Sequence, residues 1–358
     1  METLKEQAVS LSQKKYEELV QKHWETTRDI HFHEKLGTPY WIDAAKKAKV
    51  DPKNDLDSLQ DFFDSPISLC DESVLKVKPI TDFIPKSANK GSVSILTSSG
   101  SMGKKKEVAW SEAGLEYAAN YANYCFDRVG IPKNIDWVVQ GPYGIFQGVV
   151  RRALAKRGGL IHSAGVETRN LKIHFADIKS EEDFKNNQFL QITLGPAIEF
   201  TCDILAKEKI GGLVTAIQLL PSIVSAKGFE NIQAIYLSGM EIPKEMYKFW
   251  REKLPHIKFI SSFGHHNLGF SYSTPFPDEP YYSPSPLSEI YVVNEKDPYS
   301  LVGYGKRGRH KIVRMDPAFL WSQLDRDYSI RVAPQEEFKW SGIKDVKPSF
   351  EEGYKCDK

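Results

Sequence analysis

From Thr97 to Lys106 the chain reads TSSGSMGKKK, with hydroxyl, glycine and lysine residues in one turn-sized stretch. Hydroxyls donate hydrogen bonds, glycines expose backbone N–H groups and a lysine adds charge, a combination that suits a phosphate. A Walker A loop offers the same groups but places four residues between its glycines and ends in Lys-Ser/Thr. Here two residues separate Gly100 from Gly103, three lysines follow, and KEVAW then reads as a strand. The segment is expected to be a hairpin between two strands, either a phosphate cradle or a solvated polar turn. The residues that offer contacts are Thr97, Ser98, Ser99, Gly100, Ser101, Gly103, Lys104 and Lys106.

His265 and His266 close an apolar run, where an imidazole could orient a carboxylate or move a proton near neutral pH. Neighbours on a strand point to opposite faces, so one of the two is expected to face a site. His162 follows another apolar run and reads as a rim or core histidine. Tyr143 and Phe146 follow a strand and are either pocket walls or packing. His31 and His33 have metal-compatible spacing but no acid or cysteine nearby, and no metal site is expected from the spacings. GKRGRHK, residues 305–311, reads as an exposed hairpin and not a nucleic-acid patch, because 48 basic against 47 acidic residues leave no overall field. Cys70, Cys125, Cys202 and Cys356 are widely separated, which argues against zinc and against a disulfide framework.

The elements that must position these groups follow from texture. Residues 1–90 read as a helical, polar covering layer. From Gly91, the runs SVSILT, IDWVVQG, GGLIHS, FLQITL, IQAIYLSG and IKFISSFG alternate with helical patterns, as buried parallel strands do in an α/β fold. In SEAGLEYAANYANYCFDRVG the apolar positions recur at steps of three and four behind Ser111 as N-cap. Residues 91–272 form the expected α/β core, 273–345 a small antiparallel β subdomain and 346–358 a short tail. A hydrophobic fraction of 41% is ordinary for a globular chain, no apolar run was read as long enough to span a bilayer, and no export signal is legible. The expectation is a cytoplasmic protein with no nucleic-acid or membrane partner, and a homodimer is the general prior for such a chain.

Taken together, the segments resemble the adenylate-forming superfamily, in the branch of the phenylacetate-CoA ligases. TPYWIDAAKKAKVDP and DSLQDFFDSPIS are similar to that branch's lead-in, and GPYGIFQGVVRRALAKRGGLIHSAG to its aromatic-glycine stretch. The resemblance implies that 97–106 holds the ATP phosphates and that Ser238, Gly239, Met240 and Glu241 line the adenine. It implies that Tyr143, Gly144, Phe146 and His162 meet the acid, and that Asp325, reached from PAFL, binds the ribose. Phe263-Gly264-His265-His266-Asn267 matches a motif that ends in an acid in the family, and with Lys104 it supplies the catalytic candidates. Asn267 brings no charge to magnesium.

The resemblance implies a large domain of mostly parallel sheets sandwiched by helices, with ATP/AMP and Mg2+ as cofactors and CoA as a further candidate. A small carboxylic acid, aryl or acyl, would be activated to its adenylate and passed to an amine, a partner protein or CoA. Asp345 in SGIKDVKP resembles the family hinge, after which relatives carry a small domain with a catalytic lysine; that lid is expected to be absent here. A shorter group of relatives passes the acyl chain to a cysteine near its own C-terminus, for which Cys356 is the candidate. A non-catalytic nucleotide- or acyl-binding module is the alternative.

Overall fold

The computed structural model describes residues 7–98, 106–166, 186–273 and 280–348. Helix α1 (Gln13–His31) starts where the Ser12 hydroxyl accepts the Lys15 N–H. Its buried face carries Tyr16, Leu19, His23, Trp24, Thr27 and His31 at steps of three and four. With α2 (Pro39–Ala48), α3 (Leu59–Asp64) and α4 (Val74–Val77) it builds the N-terminal layer. Buried tryptophans tie that layer down: the Trp24 indole donates to the Leu56 carbonyl at 3.0 Å, and that of Trp41 to the Leu320 carbonyl at 2.8 Å.

Strands β1 (Val93–Thr97) and β2 (Glu107–Ser111) pair antiparallel, as the texture of the opening segment predicts. Ser111 then caps α5 (Glu112–Arg128), its hydroxyl accepting the Gly114 N–H at 2.9 Å. The alternation that follows is β3 (Asp136–Gly141), α6 (Ile145–Ala155), β4 (Ile161–Gly165), α7 (Gln188–Lys207), β5 (Ile210–Thr215), α8 (Leu220–Ile223), β6 (Ala234–Leu237), α9 (Lys244–Lys253), β7 (Lys258–His265) and β8 (Gly269–Ser273). Its strands form one sheet in the order β4-β3-β5-β6-β7-β8, parallel except for β8. Trp137, Val139 and Tyr236 face a core shared with α5 and α6, whereas Val138, Ile235 and Leu237 face a second core shared with α7 and α9. Both faces are buried, which is why these strands read as continuous apolar runs.

The remaining strands, β9 (Ser288–Asn294), β10 (Asp297–Leu301), β11 (Arg307–Asp316), β12 (Phe319–Val332) and β13 (Gly342–Pro348), form an antiparallel sheet in the order β10-β9-β11-β12-β13. This mixed architecture agrees with the α/β class expected from sequence.

Three readings need correction. FLQITL is not a strand but the start of α7, whose buried residues Leu190, Leu194, Ala197, Thr201 and Leu205 follow helical spacing through Pro196. By length and composition α7 is also apolar enough to cross a bilayer, with 28% of that window buried; it packs on the sheet, where the Gln140 amide donates to the Thr201 hydroxyl at 2.8 Å. SVSILT is not one of the buried parallel strands: as β1 it pairs antiparallel with β2 in a two-stranded sheet of its own. β5 (IGGLVT), absent from the runs read as strands, lies in the parallel sheet, with glycine required because a Cβ on Gly212 would lie 2.3 Å from the Trp137 ring. GKRGRHK is only partly exposed: His310 and Lys311 are buried in β11, and the Lys311 ammonium donates to the Phe63 carbonyl at 2.6 Å and the Ser68 hydroxyl at 2.9 Å.

Candidate active site

The β1–β2 hairpin is closed by a reciprocal pair, in which the Ser98 N–H donates to the Lys106 carbonyl at 2.8 Å and the Lys106 N–H to the Ser98 hydroxyl at 2.9 Å. Ser98 is thereby a closing residue of the turn. Ser99, Gly100, Ser101, Gly103 and Lys104 lie outside the described residues, as does Cys356. Gly144 sits against the hairpin with φ +103°, and a Cβ there would lie 2.4 Å from the Thr97 carbonyl oxygen. Only glycine fits this approach.

Gly144 opens α6, and its neighbours divide. Tyr143 is 70% exposed and its hydroxyl end lies over Gly165, 2.3 Å from where a Cβ would be. Phe146 is instead packed over Gly141 and edge-on to Phe270, with centroids 5.8 Å apart, so it forms core and not an open wall. His162 pairs in register with Val138, back along β4 from the strand end where Gly165 meets Tyr143.

At the end of β6 the Ser238 and Ser262 hydroxyls are 2.9 Å apart, and Ser262 also meets the Tyr236 hydroxyl at 2.7 Å. Gly239 follows with φ +90° and open space beside it. Gln218 braces this segment by donating its amide to the Glu241 carbonyl at 2.8 Å, and Met240 is half-buried.

The end of β7 departs most from expectation. The His265 and His266 rings lie together, 4.1 Å between centroids, and do not point to opposite faces. The cause is a turn in which the Leu268 N–H returns to the His265 carbonyl and Gly269 adopts φ +85°, so strand alternation ends at His265. The Nε2 atom of His266 is 2.6 Å from a carboxylate oxygen of Glu72, which also pairs with the Lys106 ammonium. Burial pushes the Glu72 carboxyl up, but His266 and Lys106 outweigh it and hold the group well below the usual carboxylate range. Through Glu72 the hairpin lysine is tied to the histidine turn.

Nδ1 of His265 accepts the Asn267 N–H at 3.2 Å, which leaves the proton on Nε2, 3.9 Å from Asp325. Burial and the adjacent His266 push His265 down to about 3, so it is neutral near pH 7. Burial also raises the Asp325 carboxyl, yet the imidazoles of His265 and His310 and the Arg326 N–H bring it below its ordinary value. Phe263 meets His310 edge-on at 5.6 Å, and the Phe270 ring fills the space a side chain at Gly264 would need.

Asn267 is fully buried, and its amide donates to Gln323 Oε1 at 2.9 Å, an oxygen that also accepts the Trp321 indole N–H at 2.7 Å. Of the Asn267 side chain, the neutral Oδ1 has no hydrogen-bond partner among the described residues. That position does not fit a protein-held Mg2+, which favours carboxylate and phosphate oxygens. Glu72, Gln218, Gln323 and His310 were not legible as site neighbours, since no motif precedes them and each arrives from a separate element. His31 and His33 are structural: His31 bonds the Thr38 hydroxyl at 2.6 Å and the Asp316 carbonyl at 2.9 Å, and His33 Nδ1 accepts two N–H groups of its own turn. Surface cavities of about 360 Å³ beside Asp29 and His33 and about 480 Å³ beside Lys227 and His256 lie elsewhere.

No protein-family model matches the chain, and no curated protein matches it significantly. Solved structures do match. A 2-hydroxyisobutyryl-CoA ligase in the postadenylation state, in complex with R3-HIB-AMP, superposes with a TM-score of 0.68 at 12% identity, covering 94% of this chain and 68% of that one. An open conformation of the ligase with 2-HIB-AMP and CoA gives 0.68 at 11%, covering 95% and 75%. A further structure, in the thioesterification state with 2-HIB-AMP and CoA, gives 0.69 at 11%, covering 94% and 68%. The chain shares the fold of that ligase.

Proposed function

We propose that this protein, which shares the adenylate-forming fold, activates a carboxylic acid with ATP. A carboxylate oxygen attacks the α-phosphorus, the bond to the β-phosphate oxygen breaks and pyrophosphate leaves, giving an acyl-adenylate. The observation that carries the reading is convergence at one edge of the fold. Lys106 of the hairpin reaches Glu72 and through it His266, His265 stands beside Asp325, and Ser238 is joined to Ser262 at the end of the adjacent strand.

In this reading Asp325 receives the ribose hydroxyls, Ser238 to Glu241 line the base, and Thr97 with the hairpin turn faces the phosphates. His266 and Glu72 stand where the carboxylate must be oriented, so positioning and fixed charge supply most of the rate gain. Tyr143 beside Gly144 suits an aryl or acyl group, as in the phenylacetate-CoA ligase-like branch. The acceptor is an amine, a thiol of a partner, or CoA; Cys356 is a further candidate that rests on sequence alone. No step is assigned to a protein-bound magnesium ion, given the donors at position 267.

Isotope exchange between pyrophosphate and ATP, measured with MgATP across a panel of aromatic and aliphatic acids, tests the proposal. Acid-dependent exchange is the expected result, and its absence across the panel would overturn it. The neutral Asn267 favours a second reading, a module that binds nucleotide or acyl ligand without turnover. Calorimetric binding of ATP in the absence of any exchange would select it.

A further inference from the structure

We propose that His310, Asp325 and Asp327 form a binding site for one divalent first-row transition-metal ion, of the Zn2+ or Mn2+ kind. The site is built by a bulge between β11 and β12. Arg309 pairs with Tyr328 and Lys311 with Leu324, so the three residues Asp325, Arg326 and Asp327 stand opposite the single residue His310. Within the bulge Asp325 is buried and Asp327 half-buried, while Arg326 between them is exposed. One ligand atom from each of His310, Asp325 and Asp327 lies within 4.8 Å of the others.

A second observation points to a ligand. His310 is 0% exposed, its Nε2 is 2.7 Å from the Ser329 hydroxyl, and its Nδ1 has no hydrogen-bond partner among the described residues. A buried ring nitrogen left without a partner is costly. In the tautomer that donates Nε2–H to Ser329, the Nδ1 lone pair is left for a ligand, and a histidine held by a hydrogen bond through its other nitrogen is how metal-bound histidines are oriented. One imidazole and two carboxylates make a nitrogen-and-oxygen set of charge −2, which suits Zn2+ or Mn2+ better than the all-oxygen preference of Ca2+ or Mg2+. Arg309 does not compete for the ligand atoms through its Nε, which donates to the Asp325 backbone carbonyl.

The neighbouring cluster of Glu72, His265 and His266 has comparable spacing but is already committed. Its carboxylate holds Lys106, and His265 Nδ1 accepts the Asn267 N–H, which keeps a proton on the nitrogen that would have to ligate. An ion on the β11–β12 site would fix Asp325 beneath the histidine turn.

The test uses metal alone and is independent of the adenylation reading. Metal-free protein is titrated with Zn2+ by calorimetry, and Co2+ is followed by its visible absorption. One equivalent of Zn2+ is expected, with affinity about 100-fold weaker in His310→Ala and about 10-fold weaker in Asp327→Asn and Ser329→Ala, while Glu72→Gln binds as the parent does. Asp327 is only half-buried, so Asp327→Asn keeps the test decisive should His310→Ala fail to fold. Absence of binding to the parent overturns the proposal, as does binding that Glu72→Gln removes and Asp327→Asn leaves intact.

Discussion

Histidines are buried in two regions, under α1 and at the joint of β7 with β11 and β12, and the two sets behave differently. Burial pushes His23 and His31 each down to about 4, and it pushes His265 to about 3 and His310 to about 4. Residue type, burial and acidity are therefore nearly the same. Partners differ: His23 and His31 meet the backbone carbonyls of Met315 and Asp316, and His31 closes its second nitrogen on Thr38. At the joint the rings face carboxylates, and His310 keeps a nitrogen with no partner. A depressed histidine is thus no mark of a site on its own; the atoms left over after packing are what distinguish the two regions.

The largest expected effect involves both sets at once. A histidine neutral in the fold and protonated when unfolded favours the unfolded chain as pH drops, so stability falls from about pH 6.5 toward about 4 and levels off below the folded values. Each such ring contributes up to roughly 3 kcal/mol over that window. Urea midpoints measured from pH 7 to 4.5 are expected to decline steadily, and a flat profile would contradict neutral buried rings in either region. The depressed Glu72 adds loss in the same direction below the ordinary carboxylate range.

The next effects separate the regions. His31→Ala orphans the Thr38 hydroxyl and the Asp316 carbonyl and is expected to cost about 3 kcal/mol in urea unfolding, with pyrophosphate exchange per folded molecule unchanged. His266→Ala takes a partner from the half-buried Glu72 carboxylate and is expected to cost about 2 kcal/mol in urea unfolding, less than His31→Ala, while exchange per folded molecule falls about 100-fold. Parental exchange in that variant would move His266 into the structural set. The smallest effect is assigned to half-exposed His162, where His162→Ala should shift stability by no more than about 0.5 kcal/mol; a larger loss would show that β4 holds a further structural histidine.

Much of the parallel sheet was legible because strands covered on both faces must be largely apolar, as WVV in β3 and AIYL in β6 are. The misreadings have physical causes. FLQITL has strand-like residues, yet its helix runs on through Pro196, and IGGLVT does not stand out as a strand because its paired glycines resemble a turn, although one makes room for the Trp137 ring. The turn after His265 overrode strand alternation and brought both histidines to one cluster.

The β1–β2 pairing around TSSGSMGKKK, the Ser111 cap and the place of the histidine pair at a strand end are open to reading from sequence because each depends on local chemistry, whereas Asp325, in the middle of β12, is singled out only by the family resemblance. That Glu72 stands between Lys106 and His266, that Gln323 takes the Asn267 amide, and that a bulge sets two aspartates against His310 were decided only in the tertiary structure. These partners are 34 residues apart for Lys106 and Glu72 and 56 for Asn267 and Gln323. No local propensity links positions so distant; strand order, register and packing bring them within hydrogen-bond reach.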